Sequence, residues 1–459
     1  MFFNILLFLI SLILFIVNLW APASLSYAPK VMLLFDYLVV IFVSYFMVEY
    51  ELRNYTKKCK QYAITFYMLS FCIGLFWLAF SWTPYLEPNY DNWGFDAQKY
   101  YVMAKDILVN GYTNWGLNYT GVVYFYLGVM AIFGIDPLVP FFFNSLISLY
   151  AVLIISRFFT ERVLKNKNAI VYFVMLLVIP EVIYYNMMAS REIICMCAVT
   201  VSVIKIGYFA RYKKKIDLFI SLLFILTLTA IRPPFSLAFI LGIIIWTICT
   251  KGLKYRKLIM FMGAIVITVG FLLSNSLGSQ TTEDEISNRV SDTMTGNIQK
   301  FEDNNYSSNS ISLLLLPHNV FESVVFGTIR SFAYLVPSPY DLLHPIETIE
   351  HSLFFGGKVH SGLPSLTSFL MLIFIIPILK YIKNYKDISL GEQLTIVMFV
   401  VFFFVIGTFM TTFIHIRYRL VYDLLYFSLG INAMLLPKYR KRRKAILSAF
   451  YKLHFKYRT

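Results

Sequence analysis

Apolar runs of about twenty residues recur along most of this 459-residue chain, and no other feature limits its fold so strongly. A helix rises about 1.5 Å per residue, so each run matches the roughly 30 Å hydrocarbon layer of a bilayer. Backbone in that layer has no water to bond with, and must satisfy its own donors and acceptors as helix. Mean hydropathy is +0.68, with 59% hydrophobic and 14% charged residues, a balance that excludes an ordinary soluble domain. The expected fold class is an all-α polytopic membrane protein with about 12 transmembrane helices.

The first expected spans fall near 4–20, 31–49 and 62–82. Six more follow near 137–158, 169–187, 193–210, 217–231, 234–249 and 258–275, and the last three near 363–383, 391–412 and 418–436. The first run resembles a signal-peptide core, yet it has no positive start and no clear small-residue cleavage pattern after Trp20, so it is read as a retained span. The chain then divides into three spans (1–82), an outer loop with interfacial helices (83–136), six spans (137–275), a second outer loop (276–362), three spans (363–436) and a basic tail (437–459).

Orientation follows from lysine and arginine, which crowd cytoplasmic loops. Segments at 50–61, 157–167, 205–215, 251–257, 380–386 and 438–459 hold 29 of the 40 basic residues, and this span count puts them all on one side. Both termini are therefore expected to be cytoplasmic, in a plasma (inner) membrane. The net charge of +15 becomes a topology signal, which removes the case for nucleic-acid binding. One run, Leu117 to Gly134, could also span, but every later loop would then change sides. It is expected to lie at the outer interface, with Tyr119, Tyr124 and Tyr126 at headgroup level.

The second outer loop is acidic and polar to about Ser310, then apolar and punctuated by Pro317, Pro337, Pro339 and Pro345. Neither outer loop contains a cysteine, which argues against a disulfide framework. Cysteine and histidine spacings typical of metal sites are absent from the sequence.

Chemistry is expected where ionisable groups meet the outer rim of the membrane. Residues 83–116 carry Asp91, Trp93, Asp96, Lys99 and Tyr100 between apolar runs. Only eleven basic residues remain outside the cytoplasmic segments. Several of these sit at span ends: Arg191 beside Glu192, Arg232 before Pro233 and Pro234, and Arg417 and Arg419 just after His415. Arginine forks match phosphate oxygens and keep their charge, so three helix pairs delivering guanidinium groups to one face suit a phosphate or pyrophosphate. Plainer readings exist for each: a helix-start ion pair for Arg191 and Glu192, a snorkelling side chain for Arg232, headgroup anchors for His415, Arg417 and Arg419, and caps for Asp91 and Asp96.

Asp96, Tyr100 four residues later, the run Val102 to Leu108 and Gly111 together resemble the first outer loop of GT-C membrane glycosyltransferases, which use sugars on polyprenyl phosphates. The likeness continues through Phe133-Gly134, Asn144 and Ser145, Arg191-Glu192, the Ala230-Ile-Arg232-Pro turn and Arg417-Tyr-Arg419. It covers most of the chain in order, through short motifs. No large C-terminal outer domain of the oligosaccharyltransferase kind accompanies it.

The resemblance implies an inverting transfer in which Asp96 is the base, and Arg232, Arg417 and Arg419 contact phosphate. Arg191, Glu192 and His415 then help bind donor or acceptor, Trp93 and Tyr100 stack on sugar, and Lys99 lines the site. No cofactor is certain; Asp91 with Glu192 are the candidates for a divalent metal, Mg or Mn. Implied partners are a polyprenyl-phosphate-linked sugar donor, a glycan or glycolipid acceptor and membrane lipids. Two other readings stay open: a polysaccharide polymerase using a polyprenyl-pyrophosphate oligosaccharide, and a transporter of lipid-linked glycan. Transport predicts ionisable groups at mid-membrane depth and broken helices.

Overall fold

The computed structural model describes residues 2–19, 26–80, 96–111, 120–161, 165–250, 359–383, 385, 388–409 and 419–435. Among the described residues every regular element is helical and none is a strand. The helices are α1 (Phe2–Asn18), α2 (Lys30–Glu51), α3 (Lys57–Phe80), α4 (Asp96–Asn110), α5 (Thr120–Phe133), α6 (Leu138–Thr160) and α7 (Lys165–Leu177). They continue with α8 (Pro180–Asn186), α9 (Arg191–Tyr212), α10 (Lys215–Ile231), α11 (Pro233–Cys249), α12 (Val359–Lys383), α13 (Leu390–Phe409) and α14 (Leu420–Leu435).

Four helices, at Lys30–Glu51, Lys57–Ala79, Leu138–Thr160 and Arg191–Tyr212, are long and apolar enough to cross a membrane. A bent pair, counted as one span, brings the number to five, and this content marks the chain as an all-α membrane protein. The expected span near 258–275 and most of the second outer loop lie outside the described residues.

Burial sorts the spans into centre and rim. In α9, 94% of the apolar window is buried, against 33% in α2. Accordingly α9 packs against α6, α10 and α13, whereas α2 turns Val31, Phe35 and Phe42 outward, as a lipid-facing helix should. Some polar groups inside the bundle pair across helices: the Ser11 and Tyr37 hydroxyls bond at 2.7 Å, and Asn18 donates to the Leu75 carbonyl at 3.0 Å.

The segment expected to span over 169–187 is not one straight helix. It is two helices, α7 and α8, bent by 56° at residues 178–179. Pro180 supplies the reason: it has no N–H to give and its ring clashes with the preceding turn, yet it fits the first turn of a new helix. The break leaves the Glu181 amide without an intrahelical acceptor, and Thr367 Oγ1 of α12 takes it at 3.3 Å.

α5 occupies the run read as interfacial. Its 14 residues reach only about 21 Å, short of the hydrocarbon layer. Tyr126 corrects another expectation, for it is fully buried instead of standing among headgroups. Its hydroxyl donates toward Asn144 Oδ1 at 3.0 Å and the Ser190 carbonyl at 2.9 Å. Gly111 and Gly134, which belong to the family-like spacing, end α4 and α5 with φ of 76° and 95°, a conformation glycine reaches without strain.

Candidate functional site

The α8–α9 corner is where distant segments meet. Asn144 of α6 donates to the carbonyls of Met188 at 2.8 Å and Asn186 at 3.3 Å, while Ser148 donates to Asn186 Oδ1 at 2.8 Å. With Tyr126 bound to Ser190, the corner is held from two helices. Ser190 then caps α9, its Oγ accepting from the Ile193 amide at 3.4 Å. This fixes the first residues of α9, Arg191 and Glu192, in space.

Arg191 Nε lies 3.2 Å from Glu192 Oε1, and Arg232 Nη1 lies 3.6 Å from the same oxygen. One carboxylate oxygen thus stands between two guanidinium groups from separate helix ends. Arg232 occupies the joint of α10 and α11, with φ −152° and ψ 84°, where Pro233 and Pro234 force a new helix to begin. Its guanidinium sits 4.5 Å above the Phe235 ring, and that of Arg191 sits 5.9 Å from the Tyr100 ring centroid. Both arginine side chains keep 11% exposure, and Glu192 keeps 4%. The aromatic walls therefore surround charges that are mostly shielded from water but not sealed.

The contact with Tyr100 joins α4 to this cluster. Asp96 is the first residue of α4, one turn before Tyr100, and Lys99 is half-buried beside it. A second link sets the height of Arg232: a Cβ at Gly121 of α5 would lie 1.8 Å from the Ala230 carbonyl oxygen, so only glycine permits this approach of α5 to the end of α10.

Of the residues singled out from sequence, Tyr100, Arg191, Glu192 and Arg232 come together. Asp91, Trp93, His415 and Arg417 lie outside the described residues, as does the side chain of Asp96. Arg419, expected among the phosphate contacts, is instead fully buried in a different group. Its guanidinium bonds Glu181 and Ser368, and its Nε lies 3.5 Å from Asp423 Oδ1, one turn along α14. Glu181, Asp423 and Arg419 are each 0% exposed. Arg419 cannot meet a ligand at the rim in this arrangement, because the two buried carboxylates require a cation where it stands.

Sequence reasoning passed over Glu181 and Asp423. A signal existed: each is a lone acid in an apolar run, and Asp423 is four residues after an arginine, a helical pairing distance. Another unforeseen group is Asp136, buried in the α5–α6 connection, where it accepts from the Leu138 amide at 2.8 Å. Burial pushes its carboxyl up from 3.8 to about 6, against the opposing bonds from Ser26 and Leu138.

The fold and this cluster define an all-helical membrane protein carrying a polar site with two arginines at the end of the most buried of its four long apolar helices. Compared with protein families, curated proteins and solved structures, the chain matches none.

Proposed function

We propose that the protein is an inverting integral-membrane glycosyltransferase of GT-C type, with about twelve spans and both termini cytoplasmic. It moves a sugar from a polyprenyl-phosphate carrier to a lipid-linked or cell-surface glycan on the outer face. The observation that carries this reading is the contact between Tyr100 and Arg191, which sets the helix beginning at Asp96 beside a guanidinium pair from two other segments. In this proposal the Asp96 carboxylate takes the proton of the acceptor hydroxyl as its oxygen attacks the sugar's anomeric carbon. The bond from that carbon to the phosphate oxygen breaks, and Arg191 and Arg232 stabilise the departing polyprenyl phosphate. Glu192 orients both arginines.

The test is mass spectrometry of polyprenyl-linked glycans extracted from cells lacking the protein and restored with wild type or Asp96→Asn. The carrier-linked sugar should accumulate without the protein and with D96N, and fall with wild type. If the lipid bearing the glycan is a pyrophosphate oligosaccharide, the reaction is polymerisation instead. An unchanged pool sinks both enzyme readings.

A second reading, movement of a lipid-linked glycan, draws on the bend at 178–179 beside buried Glu181, Arg419 and Asp423. A broken helix next to interior charge is the usual mark of a transport path. Proteoliposomes discriminate the two: transport delivers the glycolipid across the bilayer chemically intact.

A further inference from the structure

Two of the three buried side chains where α8 meets α14 are acids, and they touch. The Asp423 carboxyl is hydrogen-bonded to the Glu181 carboxyl, and both residues are 0% exposed. A hydrogen bond needs a hydrogen, and an ionised carboxylate has none to give. No neighbour supplies it: among the described residues no hydroxyl or N–H makes a hydrogen bond to Glu181 Oε1 or to either Asp423 oxygen. Arg419 bonds the other Glu181 oxygen, Oε2, and its Nε lies 3.5 Å from Asp423 Oδ1. The guanidinium therefore offsets negative charge on the pair, yet Asp423 takes no hydrogen bond from it.

We infer that Glu181 and Asp423 bind one proton between them, so that this corner is a proton-binding site at the break between α7 and α8. Like charges in contact cannot both persist away from water, and a shared proton is how a close pair of acids relieves them. It leaves a single negative charge on the pair, against the Arg419 guanidinium. The other polar groups described around the pair do not compete for the proton. α12 brings the hydroxyls of Thr367 and Ser368, and α14 those of Tyr422 and Tyr426, none of them a base at neutral pH. Among the described residues, α3, α6 and α9 also pack on α8 but bring no charged side chain into contact with either acid. The proton has no part in the sugar transfer proposed above. Because the pair is sealed from water, the proton can leave only when the contact of α8 with α14 parts. Movement at the bend is thereby tied to a proton, the ion that buried acids beside a broken helix are suited to exchange.

Infrared difference spectra of the purified full chain at neutral pH test this, because a protonated acid and a carboxylate absorb at separate frequencies. Wild type minus Asp423→Asn should show the loss of one acid carbonyl band and no loss of carboxylate, since Glu181 stays ionised beside Arg419. Wild type minus Glu181→Gln should show the same, since Asp423 then ionises in its turn. The other buried acid, Asp136, contributes equally to all three spectra and cancels. In heavy water the band lost from the variants should shift only slowly in wild type, as a sealed site requires. Loss of carboxylate absorption in both differences, with the acid band unchanged, means two ionised acids and overturns the inference. An acid band that vanishes in one variant and persists in the other overturns the sharing, for it assigns the proton to a single residue. Where a variant does not fold, isotope labelling of the glutamate or of the aspartate carboxyls in wild type replaces it: the slowly exchanging acid band should move in part with each label, and a band that moves with one alone refutes the shared proton.

Discussion

The buried trio of Glu181, Arg419 and Asp423 makes an unequal prediction for its three members. All are 0% exposed, and there are two acids to one base. Replacing Arg419 with Met leaves two carboxylates without their shared cation in the interior, a class of change that costs about 3–5 kcal/mol. Asp423→Asn does the opposite: it removes the carboxylate held at 3.5 Å and leaves one acid facing one base. Asparagine keeps a polar group where Asp423 already bonds the Glu181 carboxyl, so this change should cost under about 1 kcal/mol. Glu181→Gln falls between, since Arg419 keeps Asp423 but exchanges its charge-assisted bond across to α8 for a weaker neutral one. The assay is unfolding of the purified proteins in a graded mixture of mild and denaturing detergent, followed by tryptophan fluorescence. The expected order of stability is wild type and D423N together, then E181Q, then R419M. If R419M unfolds with wild type, or D423N falls as far as R419M, charge pairing does not hold this corner.

Other outcomes follow from single contacts. Gly121→Ala places a methyl 1.8 Å from the Ala230 carbonyl oxygen, so α5 and the Arg232 joint must part. A loss of about 1–3 kcal/mol in the same assay is expected; an unchanged protein would mean the approach is not tight. Tyr126→Phe strips the hydroxyl that serves Asn144 and the Ser190 carbonyl, and should cost about 1–3 kcal/mol. For Asp136 the folded-state pKa is raised from 3.8 to about 6, so its contribution is fully present below about pH 4 and lost as pH rises through 6. The drop is about 3 kcal/mol, and Asp136→Asn should flatten it in unfolding measured across that window; an unchanged pH slope would show that Asp136 is solvated.

The helical membrane class was legible because the apolar runs are long and backbone in lipid has no alternative to helix. Arg191 and Arg232 could be picked out because basic residues away from the cytoplasmic segments are few, so each is conspicuous, and Glu192 stood out as the acid next to Arg191. That Arg232 meets Glu192 and Arg191 meets Tyr100 could not be read, because no sequence spacing fixes a distance between α4, α9 and α10. The bend before Pro180 was hidden because proline is tolerated within membrane helices when neighbours satisfy the freed groups, as Thr367 does for Glu181. Arg419 was misplaced for a related reason. Its location depends on two acids, Glu181 and Asp423, one of them distant in sequence, and each looks incidental when read alone.

The pairing of Glu181 with Arg419 also orders events in time. The two are 238 positions apart, so at about 5–20 residues per second the acid precedes its base by roughly ten to fifty seconds of synthesis. Through that interval the bent α7–α8 segment carries an acid that has no guanidinium and cannot settle into the interior in charged form. The last described helix, α14, then acts as a keystone. A ribosome stalled before residue 419 would leave this corner open, vulnerable to membrane quality control however well the earlier helices had inserted.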